Sequence, residues 1–312
     1  MSFIPIIEVK AARKVYGEKV AVDDVSFAMP SDAILGLLGP NGAGKTSLIR
    51  MITTITAPDS GQIFFRGEPL SGYHPTQIGY LPEERGLYKK MYVGEQLLYL
   101  ARLKGVDKAT AESRAREWLA KFELDGHWGK KVEELSKGMQ QQVQFIATVL
   151  HEPKLLILDE PFSGLDPVNA TRMRNEILRL HAQGTGVIFS THRMEQVEEL
   201  CEYIVLIHEG RNILQGKVAE IRREFQENRY HLEFEGSLPE KMGERFEMVN
   251  PTPSGVDLHL TDEQTGNELL GYLLEHKVHI ITFQELLPSL NEVFIKQVSK
   301  NGQEAIIETS VG

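Results

Sequence analysis

Between Gly39 and Ser47 the chain reads GPNGAGKTS. Gly39, Gly44, Lys45 and Thr46 match the Gly-x4-Gly-Lys-Thr pattern of a phosphate-binding loop. The chemistry explains the composition. Several backbone N–H groups must aim at one point, and only a chain with few bulky Cβ atoms turns that tightly, hence Gly39, Gly42 and Gly44. Lys45 would reach the β- and γ-phosphates of a nucleotide. The Thr46 hydroxyl would ligate Mg²⁺, a hard cation that takes oxygen ligands. A second reactive cluster is the carboxylate pair Asp159 and Glu160 at the end of the apolar run LLIL. Asp159 would hold Mg²⁺ through water, and Glu160 would orient or polarise an attacking water. The plainer alternative for this pair is an acidic turn after a core strand. His192, just past another apolar run, is either a γ-phosphate contact or a hydrogen-bonded turn histidine. Tyr16, in KVYG upstream of the loop, offers a flat ring for stacking on a base or serves as an ordinary edge-strand tyrosine. By itself the glycine-rich loop indicates NTP binding and leaves open what the energy drives.

The elements that must position these groups follow from the apolar spacing. Ala33 to Leu38 reads as a buried strand entering the loop, and Lys45 to Ile52 as the helix leaving it, with its positive end toward the phosphates. Ile6 to Val15, Val20 to Phe27 and Gln62 to Arg66 read as strands. Ile78 to Leu81 is a short strand running into a charged loop, Pro82 to Gly86. Val93 to Leu103 and Ala109 to Phe122 are consecutive helices that interrupt an α/β alternation, as an inserted helical lobe would. Ser136 suits the N-cap of a further helix, and Gly138 leaves its first turn open to a ligand. Lys154 to Asp159 and Gly184 to Ser190 are core strands, so the acids and His192 fall at strand ends, where open α/β sheets bind ligands. Val168 to Gln183, Met194 to Cys201 and Lys217 to Gln226 read as helices. Tyr203 to His208 and Arg211 to Gln215 read as a hairpin.

From about Asn228 a different pattern begins. Tyr230, Leu232 and Phe234 alternate, as do Val256, Leu258 and Leu260. Asp262 to Glu275 reads as a helix, Val278 to Phe283 as a strand, and Pro288 to Val298 as a final helix. This α+β unit of about 85 residues exceeds the roughly 40-residue floor for a stable fold. It carries no metal-ligand spacing and no nucleophile–base signature. Gly302 to Gly312 reads as a loosely held tail.

Composition narrows the class. The 312 residues suffice for a large domain and a small one. No apolar run approaches the roughly 18 residues of a membrane span, and the N-terminus lacks the pattern of a secretory signal. Cys201 is the only cysteine, so no internal disulfide forms. A formal charge of −10 weighs against non-specific nucleic-acid binding.

With LSKGMQQ (135–141) ahead of LLILDEPFSGLD (155–166), the chain resembles the ATP-binding cassette family from about Ile6 to Gln226. Six motifs occur in the family's order: Tyr16, the GPNGAGKT loop, the loop after Ile78, LSKGMQQ, LLILDEPFSGLD and His192. The resemblance implies an α/β fold: a P-loop NTPase cassette with a mixed core sheet, an antiparallel β subdomain and a helical subdomain at about 87–150. This cassette, residues 1–226, would be followed by a small C-terminal α+β domain, 227–312. It implies ATP and Mg²⁺ as ligands. Asn41, Gly42, Ala43, Gly44, Lys45, Thr46 and Ser47 match the phosphate and metal contacts, and Tyr16 the adenine-stacking aromatic. Asp159 matches the metal-directing acid, Glu160 the catalytic base and His192 the switch histidine. Leu135, Ser136 and Gly138 match the signature segment that meets ATP on the opposite subunit, and Asp166 the loop that reaches across the dimer. Two departures stand out. Glu83 replaces the family's Gln in the metal-and-coupling loop, where it can still ligate Mg²⁺ but adds negative charge. Lys137 and Met139 replace Gly and Gln in the signature.

The segment FQELLPSLNEVFIKQV (283–298) is similar to the small domain of unknown function appended to ATPases of type-2 ABC exporters, among them sodium-extruding and drug-export systems. The expected function is therefore the ATPase subunit of an exporter. It would pair head to tail with a second cassette, identical or paralogous, and drive a separate membrane permease from the cytoplasmic face. The alternative is a soluble cassette ATPase acting on DNA or the translation machinery, which the single cassette and acidic balance disfavour. An NTP-dependent kinase would leave LSKGMQQ and PFSGLD unexplained.

Overall fold

The structure, a computed structural model, describes residues 4–31, 33–84, 86–261 and 263–299. Asp32, Arg85, Asp262 and the expected tail from Gly302 lie outside the described residues. Contacts divide the chain into two compact units between Gly216 and Lys217.

In the first unit, strands β1 (Ile7–Tyr16) and β2 (Lys19–Met29) form an antiparallel hairpin with Ile7 opposite Met29. Strand β3 (Ile34–Leu38) is buried throughout and leads into α1 (Lys45–Ile52). Strands β4 (Ser60–Phe65) and β5 (Glu68–Pro69) complete a four-stranded sheet in the order β2-β1-β4-β5. Then come β6 (Ile78–Leu81), α2 (Val93–Leu103), α3 (Lys108–Lys121) and α4 (Lys137–Val149). They are followed by β7 (Leu155–Asp159), α5 (Pro167–Ala182), β8 (Gly186–Thr191), α6 (Met194–Leu200), β9 (Tyr203–His208) and β10 (Arg211–Lys217).

The central sheet has the order β10-β9-β3-β8-β7-β6. Strands β9, β3, β8, β7 and β6 are parallel. Their residues read as unbroken apolar runs because helices cover parallel sheets on both faces. Glu209 and Gly210 both take positive φ (48° and 80°), the two-residue turn that folds β10 back on β9. One core joins both sheets and the inner face of α1, through Val9, Phe27, Leu35, Ile49 and Ile188.

The helical insertion is held by an aromatic cluster. Trp118 of α3, Phe122 at its C-cap and Phe145 of α4 lie with ring centroids 5.8–6.1 Å apart, each pair contributing about 1 kcal/mol beyond area burial. The insertion is thereby a lobe with its own core.

The second unit opens with α7 (Val218–Glu224), which the sequence reading assigns to the cassette. The reassignment has a local cause: Arg222 donates to the carbonyls of Pro288 (2.8 Å) and Leu287 (3.3 Å), tying α7 to the C-terminal unit. There follow β11 (Arg229–Glu235), α8 (Met242–Arg245), β12 (Glu247–Val249), β13 (Gly255–His259), α9 (Gly266–Glu275), β14 (His279–Leu286) and a helix over 290–299. The sheet is antiparallel, β12-β13-β11-β14, and Leu232, Phe234, Leu258, Leu269 and Leu273 form its core. Helix α9 begins four residues later than Asp262. Thr265 and Glu268 form a reciprocal capping box there, which fixes the start more firmly than the apolar pattern does.

Candidate functional site

The phosphate-binding loop is built by close approach. A Cβ on Gly39 (φ 145°) would meet the carbonyl oxygen of Ile207 at 2.1 Å. One on Gly44 (φ 112°) would meet that of Ala21 at 2.3 Å. The loop is thus wedged between β9 and β2, and no side chain fits at these two positions. Lys45 is buried, and its ammonium donates to the carbonyls of Gly39 (2.7 Å) and Pro40 (3.1 Å). Burial lowers its pKa, against the opposing pull of Asp159, Glu160 and Glu83. An ammonium tethered, among the described residues, to loop carbonyls at the mouth of a helix N-terminus is a group poised for a multiply charged anion.

Asp159 ends β7 and is almost fully buried. Its Oδ1 accepts from the Ser190 hydroxyl of β8 at 2.8 Å. Desolvation raises its pKa, aided by Glu83 and Glu160 and opposed by that hydrogen bond and by Lys45. Glu160 takes a left-handed backbone (φ 50°), a conformation that costs a non-glycine residue on the order of 1 kcal/mol or more. The turn holds it there: its N–H donates to the Ser190 carbonyl at 2.9 Å. Its carboxylate accepts from Thr191 Oγ1 (3.1 Å) and the His192 N–H (2.8 Å), and pairs with His192 Nδ1 at 2.7 Å.

These groups open onto one cleft of about 470 Å³, lined by Tyr16, Asn41, Gly42, Gly44, Lys45, Thr46, Ser47, Glu83, Asp159 and Glu160, with Lys19 and Arg50 as further cations. The loop and the acids, far apart in sequence, converge because β3, β8 and β7 are parallel neighbours ending at one edge, and Tyr16 joins them from the end of β1 in the other sheet. Tyr16 is partly exposed, and the Lys14 ammonium lies 5.6 Å from its ring centre.

Ser136, Gly138, Asp166 and His192 do not line this cleft. Ser136 N-caps α4, its Oγ accepting from the Met139 N–H at 3.2 Å. Asp166 caps α5 by accepting from the N–H groups of Asn169 (3.0 Å) and Val168 (3.1 Å); the backbone N–H of Asn169, then its side-chain amide, hold the Asp166 carboxyl below the usual range.

Sequence reasoning missed the residues that hold the acids in place. Ser190 and Thr191 grip Asp159 and Glu160; hydroxyls closing a buried apolar run were the available signal. Gln141, buried in α4, donates to the carbonyl of Pro161, next to Glu160, at 3.0 Å. Gln144 donates to the carbonyls on both sides of Glu83, those of Pro82 and Glu84, each at 3.2 Å. Gln141, on the helix face of Phe145 and Val149 at i+4 and i+8, could have been marked as a polar residue among apolar ones; Gln144 had no such signal.

Comparison with known proteins agrees with this architecture. Residues 22–163 match the ABC transporter family model, and residues 216–298 match the C-terminal domain of DrrA1-3-like ATP-binding proteins. The chain is 43% identical over 286 residues to the uncharacterized ABC transporter ATP-binding protein YhaQ of Bacillus subtilis, covering 91% of this chain and 96% of that one. It is 36% identical to a Nod factor export ATP-binding protein I of Ralstonia nicotianae, covering 70% and 68%. With the linearmycin resistance ATP-binding protein LnrL of Bacillus subtilis it shares 34% identity, covering 68% and 69%. A solved ATP-binding subunit of an ABC transporter superimposes with TM-score 0.66 at 33% identity, covering 70% of this chain and 93% of that one. The chain therefore belongs to the ABC transporter ATP-binding proteins, the ATP-binding, ATP-hydrolysing subunits of these transporters.

Proposed function

We propose that the 470 Å³ cleft is one half of an ATP site and that the chain powers export through a separate permease. The observation that carries this reading is the convergence of Lys45, Glu83, Asp159 and Glu160 on that single cleft. The phosphates lie against the amides of Asn41, Gly42, Gly44, Lys45, Thr46 and Ser47, the Ala43 N–H being held by the Pro40 carbonyl, with Lys45 released from its two carbonyls to pair with them. Tyr16 takes the base. The Thr46 hydroxyl and the Asp159 and Glu83 carboxylates are a hard-oxygen donor set that fits Mg²⁺. They would hold the ion there, where it supplies neutralisation of phosphate charge. Glu160 accepts the proton of the attacking water as His192 turns from it toward the γ-phosphate.

Ser136, Gly138 and Asp166 lie off the cleft and meet the nucleotide held by a second cassette, so two copies related by a two-fold axis complete two sites. Among the described residues no helix is long and apolar enough to cross a membrane. We read the permease as another chain and this subunit as working from the cytoplasmic face, a reading supported by the match to ABC transporter ATP-binding proteins. Its docking place is the outer, apolar part of an adjoining cavity of about 820 Å³, which shares Tyr16, Thr46, Arg50, Glu83 and Asp159 with the nucleotide cleft and is lined beyond them by Ile55, Leu87, Leu100 and Leu103. Ile55 and Leu103, about 60% exposed, make its rim an apolar patch. Export as the direction is supported by the C-terminal match and by the export and resistance proteins among the relatives.

Glu160→Gln tests the core of the reading. We expect ATP binding to persist, hydrolysis to fall at least about 100-fold, and a closed dimer to accumulate with ATP in light scattering. A monomer with unchanged turnover would overturn the assignment of Glu160.

A further inference from the structure

The signature helix α4 carries at its N-terminus the residues read as meeting a second cassette's nucleotide, Ser136 and Gly138. Two turns further on it carries Gln144, about 12 Å along the helix from Ser136 at 1.5 Å per residue. Gln144 is only 5% exposed. Its carboxamide nitrogen spans the carbonyls of Pro82 and Glu84, each at 3.2 Å. Both N–H bonds of the amide are thus used on the backbone to either side of Glu83, while its Oε1 is buried with no partner among the described residues. Thr148, one turn on, donates from Oγ1 to the Gln144 carbonyl at 2.8 Å, the Tyr80 carbonyl of β6 lying farther off at 3.4 Å. The loop that presents Glu83 to the cleft is therefore fastened to α4 by side-chain hydrogen bonds. A buried carbonyl left without its donor costs roughly 1–3 kcal/mol, enough to let such a loop shift.

We propose that Gln144 is a positioning residue for ATP hydrolysis: it clamps the backbone around Glu83, so that α4 sets where the Glu83 carboxylate stands in the cleft. The proposal rests on the reading of the cleft as the ATP site.

The test uses the full chain. Gln144→Met keeps the length and volume of the side chain and removes its donors. Gln144→Ala removes donors and volume together and serves where Met disturbs folding. Both are compared with the unaltered chain, alone and in a Glu83→Ala background, by steady-state hydrolysis, affinity for ATP, and thermal unfolding. We expect either substitution to lower kcat roughly tenfold while KM for ATP moves less than about threefold, and the effect to vanish in the Glu83→Ala background. An unchanged kcat in a folded Gln144 variant would overturn the proposal. So would the same fractional loss in both backgrounds, because Gln144 would then act elsewhere. The site reading fails separately: the unaltered chain would not bind ATP, or Lys45→Ala would bind it equally well.

Discussion

At the residue scale, Lys45 decides whether a nucleotide binds. Its ammonium is buried and held by the carbonyls of Gly39 and Pro40. Lys45→Ala should lower ATP affinity at least about 100-fold, since a buried charge-assisted contact to phosphate is lost; equilibrium binding of a fluorescent ATP analogue checks it. His151 offers a pH test at the same scale. Burial, then the positive charges of Lys104 and Arg114, push its pKa down to about 4 from 6.5. Between those values the unfolded chain binds the proton and the folded chain does not. Stability is therefore full above pH 6.5 and is lost as the pH falls toward 4, by about 2 kcal/mol between pH 7 and pH 4.5. Urea unfolding at several pH values should show this slope, and His151→Gln should flatten it.

Single helices are held by contacts that the apolar pattern does not reveal. In α2, Gly94 lies under the indole of Trp128: a Cβ there would meet the ring at 2.2 Å, and the Gly94 N–H donates to the Trp128 carbonyl at 3.0 Å. The Arg116 guanidinium covers the same indole at 4.1 Å. Gly94→Ala should destabilise the helical lobe by about 2 kcal/mol through overpacking. ATP affinity should stay within about twofold, because Gly94 is not among the residues lining the nucleotide cleft. Paired unfolding and binding measurements separate the two effects. In α3, Asp107 accepts from the Thr110 N–H at 3.0 Å as N-cap, and Asp107→Ala should lower stability in the same assay.

For the whole molecule, the division between Gly216 and Lys217 makes a direct prediction. Every candidate residue from Tyr16 to His192 lies in the first unit. Removing residues 217–312 should leave ATP affinity within about threefold, because domains with their own cores retain their sites. Loss of binding in a folded truncation would show that the second unit completes the cleft. The apolar rim of the larger cavity gives a test of the permease reading. Leu103→Glu should reduce recovery of the chain with its membrane fraction while leaving ATP affinity unchanged, as expected of a charge set into an interface core.

The sequence by itself determined the phosphate loop, the acid pair and the strands and helices beside them, because each has a short-range cause. Glycines without Cβ atoms make the loop, Lys45 follows it at fixed spacing, and unbroken apolar runs make strands that helices can cover. It also separated the C-terminal unit by its change to alternating strands. Tertiary structure alone decided what holds these parts in register. Ser190 on Asp159, Thr191 and His192 on Glu160, and Gln144 on the Glu83 loop are contacts between segments roughly 30 to 60 residues apart. No local spacing encodes them; they exist because parallel strands end at one edge and α4 packs beside them. The transfer of α7 to the second unit has the same origin, in hydrogen bonds from Arg222 to residues more than 60 positions away.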